Sequence, residues 1–458
     1  QIMLKHDAQA AYFMMPFRVF ELSIGAILVF SGNYRISKKN ESLAAVSGLL
    51  LIIGSSAFLN SASPFPGLLA LIPCIGAAAC IYAGNSKYLS ILRTPPAVQL
   101  GLISYSVYLV HWPILVFYKY YIFRELYTFE KIILLALSII TGLILYRLIE
   151  KPFHYLAKSN RKRGTTLLAF FTSALCAVCL TVVIQNGLPS RIHNQWLSSF
   201  SDLSEFHRKN YGGYGYDLTT ILGDKTGKQV AVIAGDSFAM QYAYGLDKTL
   251  KARGEYIPGE FQHGCIISSK YTRLSNNAPL PGCRESFAKI LQKLGDSDTP
   301  LIFAQHWSGY RGLILNSSND VVPSINDTDY SAVILDILKT LRSDIGSREL
   351  ILIGSQPVGP GGSPASCLMK PTYVPQKCTK LLTYSLEKSA SNDINEIVKN
   401  FALTNARTLY IDPADVLCKN GKCETYQADK IFYSDTIHLS RDGSELASKL
   451  IIERLEKP

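Results

Sequence analysis

Apolar residues are concentrated in the first 186 positions of the chain, in six long runs at about 16–30, 43–59, 66–83, 98–118, 132–148 and 165–184. Most approach the length needed to cross about 30 Å of hydrocarbon. Without water to satisfy a backbone there, such runs must be helices. Beyond residue 228 the pattern changes. Short apolar runs at 229–234, 300–304, 349–358 and 408–412 read as buried strands, and they alternate with helical patterns around 238–253, 331–342, 384–401 and 444–456. That alternation predicts a three-layer α/β sandwich with a parallel sheet. The stretch 187–228, rich in Tyr, Gly and Ser, reads as irregular, a linker partly packed on the domain; the Pro- and Gly-rich 357–366 reads as a loop. The predicted order is an all-α multi-span membrane domain at 1–157 (five spans), an extra transmembrane helix at 158–189, a linker or extension at 190–228 and an α/β domain at 229–458.

Charge supports this division. Of 46 Lys and Arg and 35 Asp and Glu, residues 1–189 hold 16 and 6, leaving 30 and 29 for the remainder. The formal charge of +11 therefore belongs almost wholly to the membrane half. It reads as topogenic charge, and nucleic acid is not an expected partner. Basic residues cluster after the first run (Arg35, Lys38, Lys39), the third (Lys87, Arg93) and the fifth (Arg147, Lys151, Lys158, Arg161, Lys162, Arg163), with Lys119, Arg124 and Lys131 in the loops between. The positive-inside rule then starts the chain outside the cytoplasm, and six crossings return the α/β domain to the outside. The chain opens on Gln1-Ile2-Met3 without an initiating Met and is read as a piece whose N-terminal part is missing.

Cysteine usage agrees with an extracytoplasmic domain. Cys74, Cys80, Cys176 and Cys179 lie in apolar runs and read as small hydrophobes. The other six fall in the α/β domain, and sequential pairing, Cys265 with Cys283, Cys367 with Cys378 and Cys418 with Cys423, is the preferred connectivity among many. A zinc site is the competing reading, weakened because no Cys-x-x-Cys or Cys/His spacing is present; no metal ligand is assigned.

Gly235-Asp236-Ser237 closes the first strand-like run, at a predicted strand-to-helix turn, and Asp435-Thr436-Ile437-His438 follows two hundred residues later. Serine needs a base within hydrogen-bond reach and a third group to orient that base. His438 is the candidate base and Asp435 its orienting carboxylate, with the i, i+3 spacing letting a turn bring the carboxylate to Nδ1. The competing reading is a Ser and a His in unrelated turns. Of the eight histidines, His6, His154, His193 and His207 read as exposed or interfacial.

Three motifs of the membrane half, Tyr12-Phe-Met-Met-Pro-Phe-Arg18-Val-Phe-Glu21-Leu, Ser104-Tyr-Ser-Val-Tyr108-Leu-Val-His111-Trp-Pro and Ile149-Glu-Lys-Pro-Phe153, resemble the later helices of the membrane acyltransferase type 3 family. Residues 225–455 resemble the SGNH domain fused to many such proteins, as in bacterial O-antigen and peptidoglycan O-acetyltransferases. The resemblance implies an SGNH-hydrolase-like sandwich whose oxyanion donors are the Ser237 N–H, a Gly after the second strand and an Asn after the third. Gly264 is the candidate Gly. No Asn stands in the third-strand run, where the alternatives are a side-chain donor from Gln305 or His306 or a hole of backbone N–H groups alone, and Trp307 is a candidate wall for a sugar ring. In the membrane half, Arg18, Glu21, Tyr108 and His111 are candidates for an acyl path, with interfacial snorkelling or an i, i+3 ion pair as the competing readings for Arg18 and Glu21.

The function implied is transfer of an acetyl group from a cytoplasmic donor, acetyl-CoA, through the inner membrane and via Ser237 onto a hydroxyl of a surface polysaccharide, O-antigen first. No cofactor is expected to stay bound. The expected partners are the bilayer and a lipid-linked or surface glycan, and the expected place is a bacterial inner membrane with the C-terminal domain periplasmic. The alternatives are a polysaccharide O-acetyl esterase, which would use the same three residues on water, and a catalytically silent glycan-binding module.

Overall fold

The structure is a computed structural model that describes residues 12, 14–31, 37–59, 63, 67–124, 126–192, 196–275, 278–295, 298–359, 361–374, 378–427 and 430–456. His6, Arg35 and His193 lie outside them. The chain divides into two compact units, Gln1–Ile114 with Lys131–Arg161, and Leu115–Glu130 with Lys162–Pro458.

The first unit is helical. Its described helices include α1 (Val19–Ser31), α2 (Lys38–Phe58) and α3 (Leu71–Tyr82). They continue with α4 (Pro95–Ile122) and α5 (Thr128–Leu145), of which 115–122 and 128–130 fall in the second unit, and α5 runs through a wide turn into α6 (Lys151–Ser159). Gly48 of α2 faces Gly76 of α3. A Cβ added at Gly48 would stand 2.7 Å from Gly76 O, so two glycines permit the close crossing typical of helices in lipid. Ser106 Oγ donates to Glu150 Oε2 at 2.6 Å, giving that carboxylate a partner on a neighbouring helix.

Among the described residues four helices are long and apolar enough to cross a membrane: Lys38–Phe58, Pro95–Ile122, Thr128–Leu156 and Arg161–Ile184. Leu68–Tyr82 with Lys87–Arg93, bent by 96°, makes a fifth if the pair is one span. The second, fourth, fifth and sixth predicted runs lie in these four helices; the first lies on α1, whose 13 residues rise about 20 Å, and the third lies on Leu68–Tyr82, up to the bend. The helix α7 (Arg161–Ile184) follows, and every side chain from 165 to 184 is exposed. An apolar helix uncovered by protein on all sides is suited to lipid.

The second unit is built on a seven-stranded sheet: β1 (Thr219–Gly223), β2 (Lys228–Gln229), β3 (Val232–Gly235), β4 (Glu255–Phe261), β5 (Leu301–Ala304), β6 (Leu350–Ile353) and β7 (Thr408–Ile411). Their order is β1-β4-β3-β5-β6-β7, with β2 also on β4. β1 runs antiparallel to β4, and the other pairings are parallel. Alternation sorts the strand residues onto two faces. Val232, Ala234, Leu301, Phe303, Leu350 and Leu352 join one core. It is covered by α11 (Cys283–Leu294), α12 (Asp327–Asp344) and α13 (Asn392–Thr404). Ile233, Ile302, Ala304, Ile351, Ile353 and Ile411 join the other, under α10 (Ala243–Arg253) and α14 (Arg441–Glu456). Two helices precede α10 in the chain, α8 (Leu203–Asn210) and the single turn α9 (Ser237–Met240). The result is the three-layer sandwich expected, with a mixed sheet in place of the parallel one, because the edge strand β1 runs antiparallel.

The predicted linker is structured instead. β1 adds an edge strand to the sheet, and Tyr211 bridges to Ser440 while Gly212 N donates to Leu439 O at 3.1 Å. Three disulfides form with the sequential pairing: Cys265–Cys283, Cys367–Cys378 and Cys418–Cys423.

Candidate active site

Strand β3 is central, and the chain returns beside it on one side as β4 and on the other as β5. Such a reversal opens a crevice at the carboxyl ends of the strands. Gly235-Asp236-Ser237 sits at that edge. Gly235 adopts φ 149°, and a Cβ there would come within 1.7 Å of Ala304 O. Glycine is therefore required for the chain to leave β3 so close to β5.

Asp236 is fully buried and caps α9 by accepting from Phe238 N at 2.8 Å. Its Oδ2 also accepts from His306 N at 2.9 Å and from the Tyr310 hydroxyl. Burial pushes this carboxyl up to about 6, while the donors from Tyr310, His306 and Phe238 work to hold it ionised.

Ser237 Oγ lies 2.9 Å from His438 Nε2, and His438 Nδ1 lies 2.8 Å from Asp435 Oδ2. Asp435 Oδ1 accepts from Ile437 N at 2.8 Å and His438 N at 2.6 Å, so the i, i+3 turn does position the carboxylate beside the ring. Burial works to raise the Asp435 carboxyl, but the His438 bond, its attraction and the two backbone donors outweigh it and hold the group down at about 2. An ionised Asp435 fixes the proton on Nδ1 and leaves Nε2 to accept from Ser237.

Two buried amides steady the histidine loop. Gln241 Oε1 accepts from Leu439 N at 2.8 Å, and the Gln356 amide donates to Ile437 O. The extension contributes more. Tyr211, nearly buried, donates its hydroxyl to Ser237 O at 2.5 Å and packs its ring edge-on to His438, centroids 5.5 Å apart. His207 of α8 places Nδ1 3.0 Å from Ser434 Oγ and 3.5 Å from Asp435 Oδ2. Burial lowers its basicity, and Asp435 partly restores it. The expectation that His207 is merely exposed or interfacial is thus corrected; His154 is exposed as expected.

The candidate oxyanion groups are placed unevenly. The Ser237 N–H belongs to the first residue of α9. Gly264 sits in a left-handed turn three residues past Phe261, the β4 residue paired with Gly235 at the end of β3, and its carbonyl accepts from Arg273 at 2.8 Å. The His306 ring stacks on Phe238, centroids 4.3 Å apart and planes within 8°, and burial lowers its pKa to about 4, so it is neutral. Gln305 is buried, and its Oε1 accepts from Ile267 N at 3.3 Å. Trp307 is no wall for a sugar: it is wholly buried and donates Nε1–H to Ile353 O at 2.8 Å.

In the membrane half, Arg18 and Glu21 form a two-pronged ion pair, 3.0 and 2.9 Å, as the competing reading had it. His111 Nδ1 is 2.6 Å from Tyr108 O, and the two rings lie 5.5 Å apart.

The family described as the SGNH domain fused to AT3 domains matches residues 205–453, more than half of the chain. The chain belongs to that family. It is 26% identical over 191 residues, 41% of this chain and 48% of the other, to a protein of Komagataeibacter xylinus named as a membrane-bound transacylase, BcsY. The chain thus spans about half the length of that curated relative. Among solved structures it is similar to the periplasmic domain of a lipopolysaccharide acetyltransferase of Salmonella ser. Paratyphi A. That match has TM-score 0.37 and 16% identity and covers 51% of this chain and 85% of that one. A second match, to a Streptococcus pneumonia structure described as a platelet activating factor, has TM-score 0.29 and 14% identity, with 61% and 99% covered. The SGNH match begins at residue 205, so it takes in His207 and Tyr211, which no local sequence signal marks.

Proposed function

We propose that this chain is part of a membrane O-acyltransferase in which Ser237 carries an acetyl group on its way to a hydroxyl of a surface polysaccharide, O-antigen being the first candidate. The observation that supports this most is one chain joining membrane-length helices to a Ser237–His438–Asp435 array at the mouth of the sheet. A hydrolase acting on an outside ester has no need of the former.

In this reading His438 Nε2 takes the Ser237 proton as Oγ attacks the acyl carbonyl. The negative charge that develops on the carbonyl oxygen faces N–H donors, with Ser237 N and the Gly264 turn as candidates. The imidazolium, held by Asp435, returns its proton to the leaving group and frees the first product. His438 then deprotonates the incoming sugar hydroxyl, which attacks the acyl-serine and regenerates Ser237 Oγ–H. Water in place of the sugar would give the esterase reaction with the same proton transfers. We further propose acetyl-CoA as the cytoplasmic donor, with a polar route marked by Arg18, Glu21, Tyr108 and His111, and a periplasmic location for the SGNH domain.

The test has two arms. The detergent-solubilised chain should hydrolyse 4-nitrophenyl acetate slowly, and Ser237→Ala or His438→Ala should each reduce this about 1000-fold or more. Mass spectrometry of surface glycan should show acetyl groups that depend on the complete gene. Hydrolysis unchanged in both variants overturns the nucleophile, and unaltered glycan overturns the acceptor.

A further inference from the structure

His207 has no task in the acyl transfer just described, yet it stands against that machinery. Asp435 Oδ2 faces two imidazole nitrogens, His438 Nδ1 at 2.8 Å and His207 Nδ1 at 3.5 Å. One ligand atom from each of the three residues lies within 4.8 Å of the others, and no other group of His, Cys, Asp or Glu among the described residues is gathered in this way. A tetrahedral zinc ion with bonds of about 2.0–2.2 Å to nitrogen and carboxylate oxygen sets its ligands about 3.3 Å apart. The two observed separations bracket that edge. The carboxylate is already oriented by Ile437 N and His438 N, as a metal-binding carboxylate needs to be. Two imidazoles and one carboxylate suit zinc and its neighbours and not magnesium or calcium.

We propose that His207, Asp435 and His438 form an inhibitory site for a divalent transition-metal ion of the zinc type, with the fourth position open to water or Ser434 Oγ. On binding, the hydrated metal sheds waters as bonds form to Nδ1 of both rings and to Asp435 Oδ2; the hydrogen bond between His438 Nδ1–H and Asp435 breaks, and His207, its proton on Nε2, gives up its Nδ1 contact with Ser434 Oγ. The Nδ1 proton of His438 moves to Nε2 of the same ring, so no electrons change hands and the ring stays neutral. A ring protonated at Nε2 can only donate to Ser237 Oγ. It cannot take the proton of serine, and the nucleophile is switched off. The inhibition rests on the reading of Ser237 and His438 as nucleophile and base; the metal site itself does not.

The test uses the detergent-solubilised chain without a polyhistidine tag. Cobalt(II) should give the visible absorption of a low-coordinate nitrogen and oxygen site, saturating at one equivalent and displaced by zinc. The signal should survive Ser237→Ala and be lost in His207→Phe and His207→Gln. Zinc should inhibit hydrolysis of 4-nitrophenyl acetate by the unaltered chain, reversibly with EDTA. Relative to each variant's own metal-free rate, the zinc needed should rise at least tenfold in both His207 variants and fall back in His207→Cys, which restores a ligand. Equal zinc sensitivity in the unaltered chain and His207→Gln, or no cobalt signal in the unaltered chain and Ser237→Ala, overturns the site. One bound cobalt with undiminished hydrolysis overturns the inhibition alone.

Discussion

Gln241 and Gln356 are hydrogen-bonded amide to amide, Gln241 Nε2 to Gln356 Oε1 at 2.8 Å, although 115 residues separate them. Both are fully buried. Their remaining atoms hold the backbone on either side of His438, at Leu439 N and Ile437 O. Breaking this pair leaves buried polar groups without partners, which costs about 1–3 kcal/mol, and frees the histidine loop to shift. Gln356→Leu is therefore expected to lower kcat for ester hydrolysis by about 10- to 100-fold with KM little changed, because misplacement of a base by about 1 Å has effects of that size. Steady-state kinetics checks this, and an altered KM at constant kcat would contradict it.

The two site carboxylates give opposite pH signatures. Asp236 is raised to about 6 from an ordinary 3.8, so between roughly pH 4 and 6 the native state holds a proton that the unfolded chain has released. Stability falls as pH rises through that window, by on the order of 3 kcal/mol. Asp435 is held at about 2, so its contribution, on the order of 2 kcal/mol, is present above pH 4 and lost as pH falls toward 2. Thermal unfolding followed by the fluorescence of buried Trp307, in a Trp112→Phe, Trp196→Phe background, reads both. Asp236→Asn should abolish the decline between pH 4 and 6, and Asp435→Asn should flatten the acid limb.

Disulfides predict a thiol count. Six of the ten cysteines are paired, leaving Cys74, Cys80, Cys176 and Cys179. Alkylation of the denatured, unreduced chain should label four thiols, and ten after reduction. Cys265–Cys283 closes the longest loop, with 18 residues of separation, and its removal should cost about 3 kcal/mol by the chain-entropy estimate. Cys418–Cys423, separated by 5, should cost less. Ten labelled thiols without reduction would contradict the pairing.

The parts of the site that were readable in advance are those with local signals. A strand ending in Gly235-Asp236-Ser237 and an Asp435–His438 turn each carry their geometry in a few consecutive residues. Unbroken apolar runs ending at 234, 304 and 353 likewise foretold a buried sheet. His207 and Tyr211 were not readable, because the Tyr, Gly and Ser content around them resembles a linker. What places them lies more than two hundred positions away: Tyr211 pairs with Ser440, and His207 meets Ser434 and Asp435. Trp307 follows β5 directly and could have faced either way; packing on Phe303, 5.9 Å between centroids, and a bond to Ile353 O turn it into the core. The third predicted run, 66–83, is helical over Leu68–Tyr82 and ends at the bend; the short helix Lys87–Arg93 beyond Gly84-Asn85-Ser86 was not foretold.

The proposed relay through the membrane half can be separated from the chemistry at Ser237. His111 lies within α4, a membrane-length helix, with Nδ1 engaged by the carbonyl of Tyr108 one turn earlier. That bond fixes the ring and leaves Nε2 for other work, whereas a histidine that only packed would tolerate replacement. An ionisable side chain in a span costs about 2.5–3.5 kcal/mol on insertion scales for charged groups, and such residues usually mark a path or a partner. If acetyl groups reach Ser237 by way of His111, then in cells expressing the complete gene His111→Ala abolishes glycan acetylation while the detergent-solubilised variant hydrolyses 4-nitrophenyl acetate at the normal rate. Ser237→Ala abolishes both. Acetylated glycan from the His111→Ala strain would make that histidine a packing residue. Acetylated glycan from the Ser237→Ala strain would mean that the membrane helices deliver directly to the sugar, and the two sites would then act in parallel and not in series.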